Sequence, residues 1–142
     1  MEIRNLQSDD YNKNYLDLLN QLSLLNKKNI SYNDFNNFIE ELNNKNHIIK
    51  VIELNNKIVA SGTLYIENKI IHNLGKVGHI EDIIVDINIR GKSLGKQIVK
   101  HLIHLSENNG CYKTILNCNE NNINFYEKCG LIKKEYEMVK YV

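Results

Sequence analysis

The sequence lacks several features that mark specialised classes of protein. Its 142 residues include no proline, no tryptophan and only three cysteines. Because an odd number of cysteines without a Cys-x-x-Cys pair is typical neither of a disulfide framework nor of a zinc site, we predict free thiols at Cys111, Cys118 and Cys129. We also predict no bound metal, since His101 and His104 have a helical spacing but no obvious third ligand.

A large excess of charge and a long apolar run are missing as well. The formal net charge is +1, which argues against a nucleic-acid or anionic-membrane partner. The longest apolar runs have the length of strands and fall short of the roughly 20 residues that a membrane-spanning helix requires. The first residues show no basic region followed by an apolar stretch, so we expect no secretory signal and a cytoplasmic protein.

The composition is that of an ordinary globular protein, with 42% hydrophobic and 25% charged residues. A chain of this length can bury one hydrophobic core without disulfides or a structural metal. We therefore predict a single domain over residues 1–142.

The periodicity of apolar residues alternates between strand and helix patterns along the chain. The predicted strands cover residues 2–6, 47–54, 57–67, 77–86, 111–118 and 131–141. The predicted helices begin at Ser8, at the capping box of Ser31 and Asp34, and in the loop 90–95, and a short one covers residues 123–128. Since sequential strands that flank a helix form parallel crossovers, we predict an α/β fold, with a central mixed sheet of about six to seven strands and helices on both faces.

Two adjacent carboxylates interrupt the strand 77–86. Side chains alternate along a strand, so Glu81 and Asp82 should face opposite sides of it. The other side chains make both sides apolar, with Val77, Ile83 and Val85 expected on one and Ile80 and Ile84 on the other. Buried or cleft carboxylates need a partner. Either a substrate ammonium or hydroxyl group or an internal ion pair would meet that need.

The loop Arg90-Gly91-Lys92-Ser93-Leu94-Gly95 joins this strand to a helix. The free N–H groups and the positive end of the helix dipole meet there, which makes an anion site. A diphosphate would suit it, and the two glycines would let that group approach the backbone. The alternative is an ordinary tight turn, in which glycine and basic residues are common.

A second group of basic side chains stands in the loop before the strand 77–86. This group consists of Lys69, His72 and Lys76. Its side chains can bind a phosphomonoester, or they are only solvated charges on a basic loop.

The loop 90–95 resembles the acetyl-CoA pyrophosphate loop of the GCN5-related N-acetyltransferase superfamily, whose pattern is Gln/Arg-x-x-Gly-x-Gly/Ala. Ser93 stands in place of the middle glycine. Its N–H can still bind phosphate if its backbone angles are negative, and its hydroxyl could add a donor.

Further blocks in the same order are similar to the glucosamine 6-phosphate N-acetyltransferase family. They are Ile66 to His72, Gly78 to Ile83, Asn109 to Lys113 and Asn124 to Gly130. The resemblance implies direct acetyl transfer from acetyl-CoA to the amine of glucosamine 6-phosphate in a ternary complex, a step of UDP-GlcNAc biosynthesis. It also implies a homodimer, in which the C-terminal strands pack across the subunit boundary and complete each other's sugar site.

The resemblance assigns roles to individual residues. Tyr126 is the general acid, in keeping with a phenol that is protonated at neutral pH, although it could equally be a half-buried aromatic beside Phe125. Glu81, Asp82 and Asn117 join it in the catalytic group. Binding of the glucosamine 6-phosphate substrate is assigned to Ser23, Lys69, His72, Glu81, Asp82 and Lys140, of which Lys69 and His72 belong to the site of the phosphate. Acetyl-CoA is assigned to Ile83, Ile84, Val85, Arg90, Gly91, Lys92, Ser93, Leu94, Gly95, Asn124 and Tyr126.

Two positions depart from the family pattern. Asn117 stands where the family usually carries Asp or Glu, and an amide cannot accept a proton. Either the amine arrives neutral, or water relays its proton to Glu81 or Asp82, or Asn117 only orients the sugar. Tyr141, next to Lys140, stands where the family has arginine. The alternatives are an acetyltransferase for a peptide, polyamine or other amino sugar, and a CoA-binding module without chemistry.

Overall fold

The computed structural model describes residues 1–142 and contains one sheet of five strands. The strands are β1 (Ile3–Asn5), β2 (His47–Leu54), β3 (Lys57–Asn68), β4 (Lys76–Val85) and β5 (Cys111–Ile115). They lie side by side in the order of the chain, β1 to β4 are joined by antiparallel pairing, and β5 pairs parallel with β4.

Five helical segments connect or follow the strands, and short 3-10 turns lie between them. They are α1 (Tyr15–Asn20), α2 (Tyr32–Leu42), α3 (Ile71–Leu74), α4 (Leu94–Asn108) and α5 (Ile123–Glu127). The capping box is confirmed, because Ser31 Oγ accepts from the N–H of Asp34 at 3.1 Å and Asp34 Oδ2 accepts from the N–H of Ser31 at 3.0 Å. None of these helices has the length and apolar character needed to cross a bilayer.

Helices cover both faces of the sheet, which confirms the predicted fold class. On one face α1 and α2 enclose a core that includes Tyr15, Leu18, Phe35 and Ile39. On the other face α4 packs through Leu94, Ile98, Val99 and Leu102 onto Leu64, Ile66 and Ile80. Each such side chain that is fully buried stabilises the fold by about 1.5–3 kcal/mol.

The structure corrects two of the predicted elements. Residues 131–142 form no strand, and from Ile132 onward every residue is exposed, so the sheet has five strands rather than six or seven. A strand needs a neighbour for its hydrogen bonds, and this segment has none within the chain. The helix predicted from Ser8 is a 3-10 turn over Ser8–Asn12, and the α-helix begins only after Asn14, whose left-handed φ of 61° interrupts the chain.

A β-bulge divides β4. Thr63 pairs with Glu81 and Ser61 with Ile84, so that Gly62 alone lies opposite Asp82 and Ile83. Asp82 takes a left-handed φ of 53°. The extra residue reverses the alternation of side chains.

The bulge also changes the faces of the sheet on which Ile80 and Ile84 lie. Ile80 packs on the α4 side of the sheet, whereas Ile84 packs on the α1 and α2 side. The prediction that these two residues share a face is therefore wrong, and the reason is the inserted residue between them.

We expect Gly62→Ala to destabilise the protein by about 1–3 kcal/mol through overpacking. An added Cβ would lie 2.5 Å from Ile83 Cδ1 and 2.7 Å from Ile98 Cγ2. Urea unfolding followed by circular dichroism measures the change. The matched control is Ala60→Gly, which removes a methyl from the same strand without adding volume. An unchanged midpoint for Gly62→Ala would contradict the close approach of α4 to β3.

Candidate active site

The parallel strands β4 and β5 separate before β4 ends. Their last paired residues are His79 and Ile115, yet β4 continues to Val85. Beyond the separation, the edge of β4 that includes Ile83 and Ile84 has no strand beside it. Main-chain N–H groups on such an edge need partners. A ligand that enters the gap can supply them.

An anion loop follows the open end of β4. The chain passes through a 3-10 turn, Ile87–Ile89, and the loop residues 90–93 are all exposed. The carbonyl of Ser93 accepts the first hydrogen bond of α4, from the N–H of Gln97 at 3.0 Å. The N–H groups that precede Gln97 therefore have no partner within the helix. These N–H groups, together with Arg90 and Lys92, form a positive site next to the unpaired end of β4.

Ser93 occupies a backbone conformation that suits glycine. Its φ is 58°, so the condition that its backbone angles be negative is not met. Gly91, two residues earlier, also has a positive φ of 89°. A side chain in the left-handed region costs about 1–2 kcal/mol. The loop thus has the backbone conformation that glycine would take at this position. The left-handed conformation of Ser93 lowers the stability of the folded protein.

Replacing Ser93 by Gly should stabilise the protein by up to about 1 kcal/mol, because the relief of left-handed strain exceeds the entropy that glycine loses on folding. The measurement is the urea midpoint of unfolding. Ser93→Ala is the control, since it removes the hydroxyl but retains the Cβ and should give no gain. A lower midpoint for Ser93→Gly would show that the hydroxyl, not the backbone, decides the stability of the loop.

Tyr126 lies on α5, which packs beside the first turn of α4. The contact is tight, because a Cβ on Gly95 would lie 3.3 Å from Phe125 Cζ. The Tyr126 ring is half-buried and its hydroxyl makes no hydrogen bond within the chain. Burial raises the pKa of Tyr126, and the nearby thiols of Cys118 and Cys129 add to this effect. The phenol is therefore protonated at neutral pH and free to donate.

Asn124 is exposed on the same short helix. The structure therefore places two of the residues assigned to acetyl-CoA on α5, beside the start of α4.

Glu81 and Asp82 open into one cleft. Its volume is about 270 Å³, and its other lining residues are Phe38, Leu42, His47, Ile49, Thr63 and Tyr65. The prediction that the two carboxylates face opposite, apolar sides of the strand is wrong, because the bulge turns both toward this cleft and leaves both exposed. Partial burial raises the pKa of Glu81, and the charge of Asp82 raises it further.

Asn117 follows the last paired residue of β5, Ile115, by two positions, so it lies in the segment of chain where β5 has separated from β4. The side chain is exposed and makes no hydrogen bond within the chain. Tyr126 packs against the same buried cluster as Ile83 and Val85 of β4, and the thiol of Cys118, the residue after Asn117, lies near it.

The basic loop lies at the other end of β4. His72 stacks on Tyr112 with ring centroids 4.1 Å apart, next to the start of β5. Lys76, where β4 begins, is five residues from Glu81, about 16 Å along the strand. The structure therefore does not bring His72 into the cleft of its own chain.

The three basic residues of this loop do not form the predicted cluster either. Lys69 pairs with Glu67 at 3.1 Å, and Glu67 also contacts His79 at 3.0 Å. Lys76 donates to the carbonyl of Asn109 at 3.3 Å instead. Lys69 therefore points along the sheet toward the cleft, whereas the ammonium group of Lys76 is hydrogen-bonded to the C-terminal end of α4.

A residue that the sequence analysis missed fixes the end of α1. The side-chain oxygen of Gln21 accepts from the N–H of Ile87 at 3.0 Å, and its amide nitrogen lies 3.5 Å from Asp86 Oδ1. This contact holds the exposed Ser23 near the end of β4. Since 66 residues separate Gln21 from Ile87, no local pattern could have indicated it.

The C-terminal segment passes near the cleft. The charge of Glu137 adds to the raised pKa of Glu81. Lys140, three residues later, is exposed and forms no ion pair within the chain.

The geometry is that of a transferase whose donor carries a diphosphate, because the anion loop leads along a free strand edge to a protonated phenol. The sequence profile of the Acetyltransferase (GNAT) family matches residues 1–131, and the chain belongs to this family.

Known proteins resemble the chain over almost its whole length. A glucosamine 6-phosphate N-acetyltransferase of Arabidopsis thaliana is 42% identical, with 99% of this chain and 95% of that protein covered. Glucosamine 6-phosphate N-acetyltransferase 1 of Dictyostelium discoideum is 39% identical, with coverage of 100% and 91%. The crystal structure of the Arabidopsis thaliana enzyme superposes with a TM-score of 0.94, with 99% and 97% of the two chains covered.

Proposed function

We propose that this chain transfers the acetyl group of acetyl-CoA to the amine of D-glucosamine 6-phosphate. The products are N-acetylglucosamine 6-phosphate and CoA, and the reaction is a step of UDP-GlcNAc biosynthesis. The observation that carries the proposal is the open edge of β4 beyond His79, which has the anion loop after one end and a cleft lined by Glu81 and Asp82 before it. Relatives with this activity in their names match nearly the full chain.

The donor fits the positive end of the opening. Arg90, Lys92 and the free N–H groups at the start of α4 receive the diphosphate. The arm of acetyl-CoA then follows the edge of β4 past Val85, Ile84 and Ile83. This path brings the thioester toward Tyr126.

The acceptor fits the negative end. Glu81 and Asp82 attract an ammonium group and accept hydrogen bonds from sugar hydroxyls. Asn117 can donate to a hydroxyl and accept from another, which suits it to orient the sugar. Of the two carboxylates Glu81 is the better proton acceptor, because its pKa is raised by burial and by Asp82.

Transfer occurs without a covalent enzyme intermediate. The bound ammonium group first passes a proton through water to Glu81, and the neutral amine then attacks the thioester carbon. The surplus N–H proton of the intermediate leaves through water and replaces the proton that Tyr126 gives up. Main-chain N–H groups of the splayed β4 edge near Ile83 and Ile84 stabilise the oxyanion, an effect of about 3 kcal/mol. The carbon–sulfur bond then breaks and Tyr126 protonates the leaving thiolate. Holding amine and thioester together supplies much of the remaining acceleration.

Tyr126→Phe should lower kcat about 10²- to 10⁴-fold, the usual contribution of a general acid. KM for both substrates should change little, because the ring and its packing are kept. The control is Tyr136→Phe, which removes a hydroxyl from an exposed tyrosine of the C-terminal segment. Unchanged turnover of Tyr126→Phe would remove the acid role while leaving the acetyl transfer in place.

We further propose that the enzyme is a homodimer. Two observations support this: His72 lies far from the cleft of its own chain, and residues 131–142 have no strand beside them. A second copy would let Lys69, His72 and Lys140 act on the phosphate of a sugar whose amine is held by Glu81 and Asp82. We also propose that residues 1–142 act as one acetyltransferase domain in the cytoplasm, where free thiols are usual.

The proposal predicts a strong preference for the phosphosugar. Release of CoA from acetyl-CoA should be at least tenfold more efficient with glucosamine 6-phosphate than with glucosamine, since charge-assisted contacts to a phosphate contribute about 1.5–3 kcal/mol. A lysine peptide should not react. Activity on glucosamine or the peptide alone would keep the acetyl transfer and overturn the acceptor. Binding of acetyl-CoA with no acetylation of any amine would favour a CoA-binding module.

A further inference from the structure

A row of lysines runs along α4 from the anion loop. Lys96 and Lys100 are four residues apart and lie on one side of α4, and Lys92 precedes them in the loop, two residues before the helix begins. All three are exposed and none forms an ion pair. The first turn of α4 contains no acidic residue.

This arrangement is unfavourable for the helix alone. Like charges four residues apart, such as those of Lys96 and Lys100, destabilise a helix. Positive charge near the N-terminus opposes the helix dipole. The only carboxylate on α4 is Glu107, at its far end. Three cations near this end of the helix repel one another if they are only solvated, whereas a bound anion would compensate their charge.

The lysine row borders the end of α5. Cys129 belongs to the same buried cluster as Leu94, Ile98 and Val99, which places the residues after α5 against the first turns of α4. Burial raises the pKa of Cys129, and the charges of Lys96 and Lys100 oppose this rise. The exposed Lys128 adjoins Cys129 in sequence. Lys96 and Lys100 therefore lie on the surface beside the end of α5, and Lys128 precedes Cys129 there.

This surface lies just beyond the place proposed for the diphosphate. Lys96 lies in the first turn of α4, four residues after Lys92 of the anion loop. Acetyl-CoA carries a phosphomonoester on the 3′-oxygen of the ribose whose 5′-oxygen bears the diphosphate. The two groups are thus separated by a single sugar ring, and a diphosphate at the loop leaves the second phosphate within reach of the next turn.

We propose that Lys96, flanked by Lys100 and Lys128, binds the 3′-phosphate of acetyl-CoA and makes the enzyme select CoA over dephospho-CoA. This inference rests on the donor of the proposed function but not on the acceptor. It therefore survives if another amine turns out to be acetylated.

The test is the binding of CoA and of dephospho-CoA to the full chain, measured by isothermal titration calorimetry without an acceptor. We expect CoA to bind about tenfold more tightly or better, the effect of one hydrogen bond between charged groups. Lys96→Gln should weaken CoA about tenfold and leave dephospho-CoA unchanged. Lys100→Gln and Lys128→Gln should have smaller effects of the same selectivity.

The matched control is Lys57→Gln, an exposed and unpaired lysine of the β2–β3 hairpin. It should change neither affinity, and circular dichroism checks that every variant is folded. Equal affinity of the wild type for CoA and dephospho-CoA would overturn the proposal. So would a loss in Lys96→Gln that is equal for both nucleotides, since that would assign the lysine to the diphosphate. Failure of the acceptor assay with these binding results intact would overturn the glucosamine 6-phosphate assignment alone.

Discussion

The site depends on one steric constraint, the close approach of α4 and Ile83 to Gly62. No side chain fits at this position, because Ile83 and Ile98 occupy the space that a Cβ would need. Gly62 consequently lies opposite two residues of β4, and the extra residue is Asp82. The bulge turns Glu81 and Asp82 into a common cleft and sends Ile83 and Ile84 to opposite faces. A glycine in β3 thereby determines where the carboxylates of the neighbouring strand point.

The same stretch of chain separates charge along the opening. The carboxylates stand where β4 bulges, and the positive loop leads to the start of α4 at Leu94, twelve residues after Asp82. The diphosphate of the donor is attracted to the loop and repelled by the carboxylates, while the ammonium end of the acceptor experiences the reverse. In a partly enclosed cleft such forces exceed those in bulk water. The diphosphate of one substrate and the amine of the other are therefore drawn to different regions of the site, and the uncharged edge of β4 lies between these regions.

The features that could be predicted from the sequence are those with a local cause. The hairpin turn at Asn55 and Asn56, the capping box of Ser31 and the apolar stripe of α4 each follow from residues a few positions apart, and all are present. The bulge could not be predicted, because it is caused by a glycine 20 positions away from Asp82. The C-terminal segment has the alternation of a strand, but a strand also requires an edge to pair with, and periodicity carries no information about that.

The single chain has both an unpaired strand edge and an unpaired strand-like segment. The outer edge of β5 has no neighbouring strand, which is a liability that proteins usually cover. Residues 131–142 have strand-like alternation and exposed apolar side chains, Tyr136, Met138 and Tyr141 among them, but no edge to join. Pairing the tail of one copy with the sheet of another would satisfy both and bury those side chains. It would also bring basic residues of one chain toward the carboxylates of the other, so that assembly and phosphate recognition would have the same physical cause.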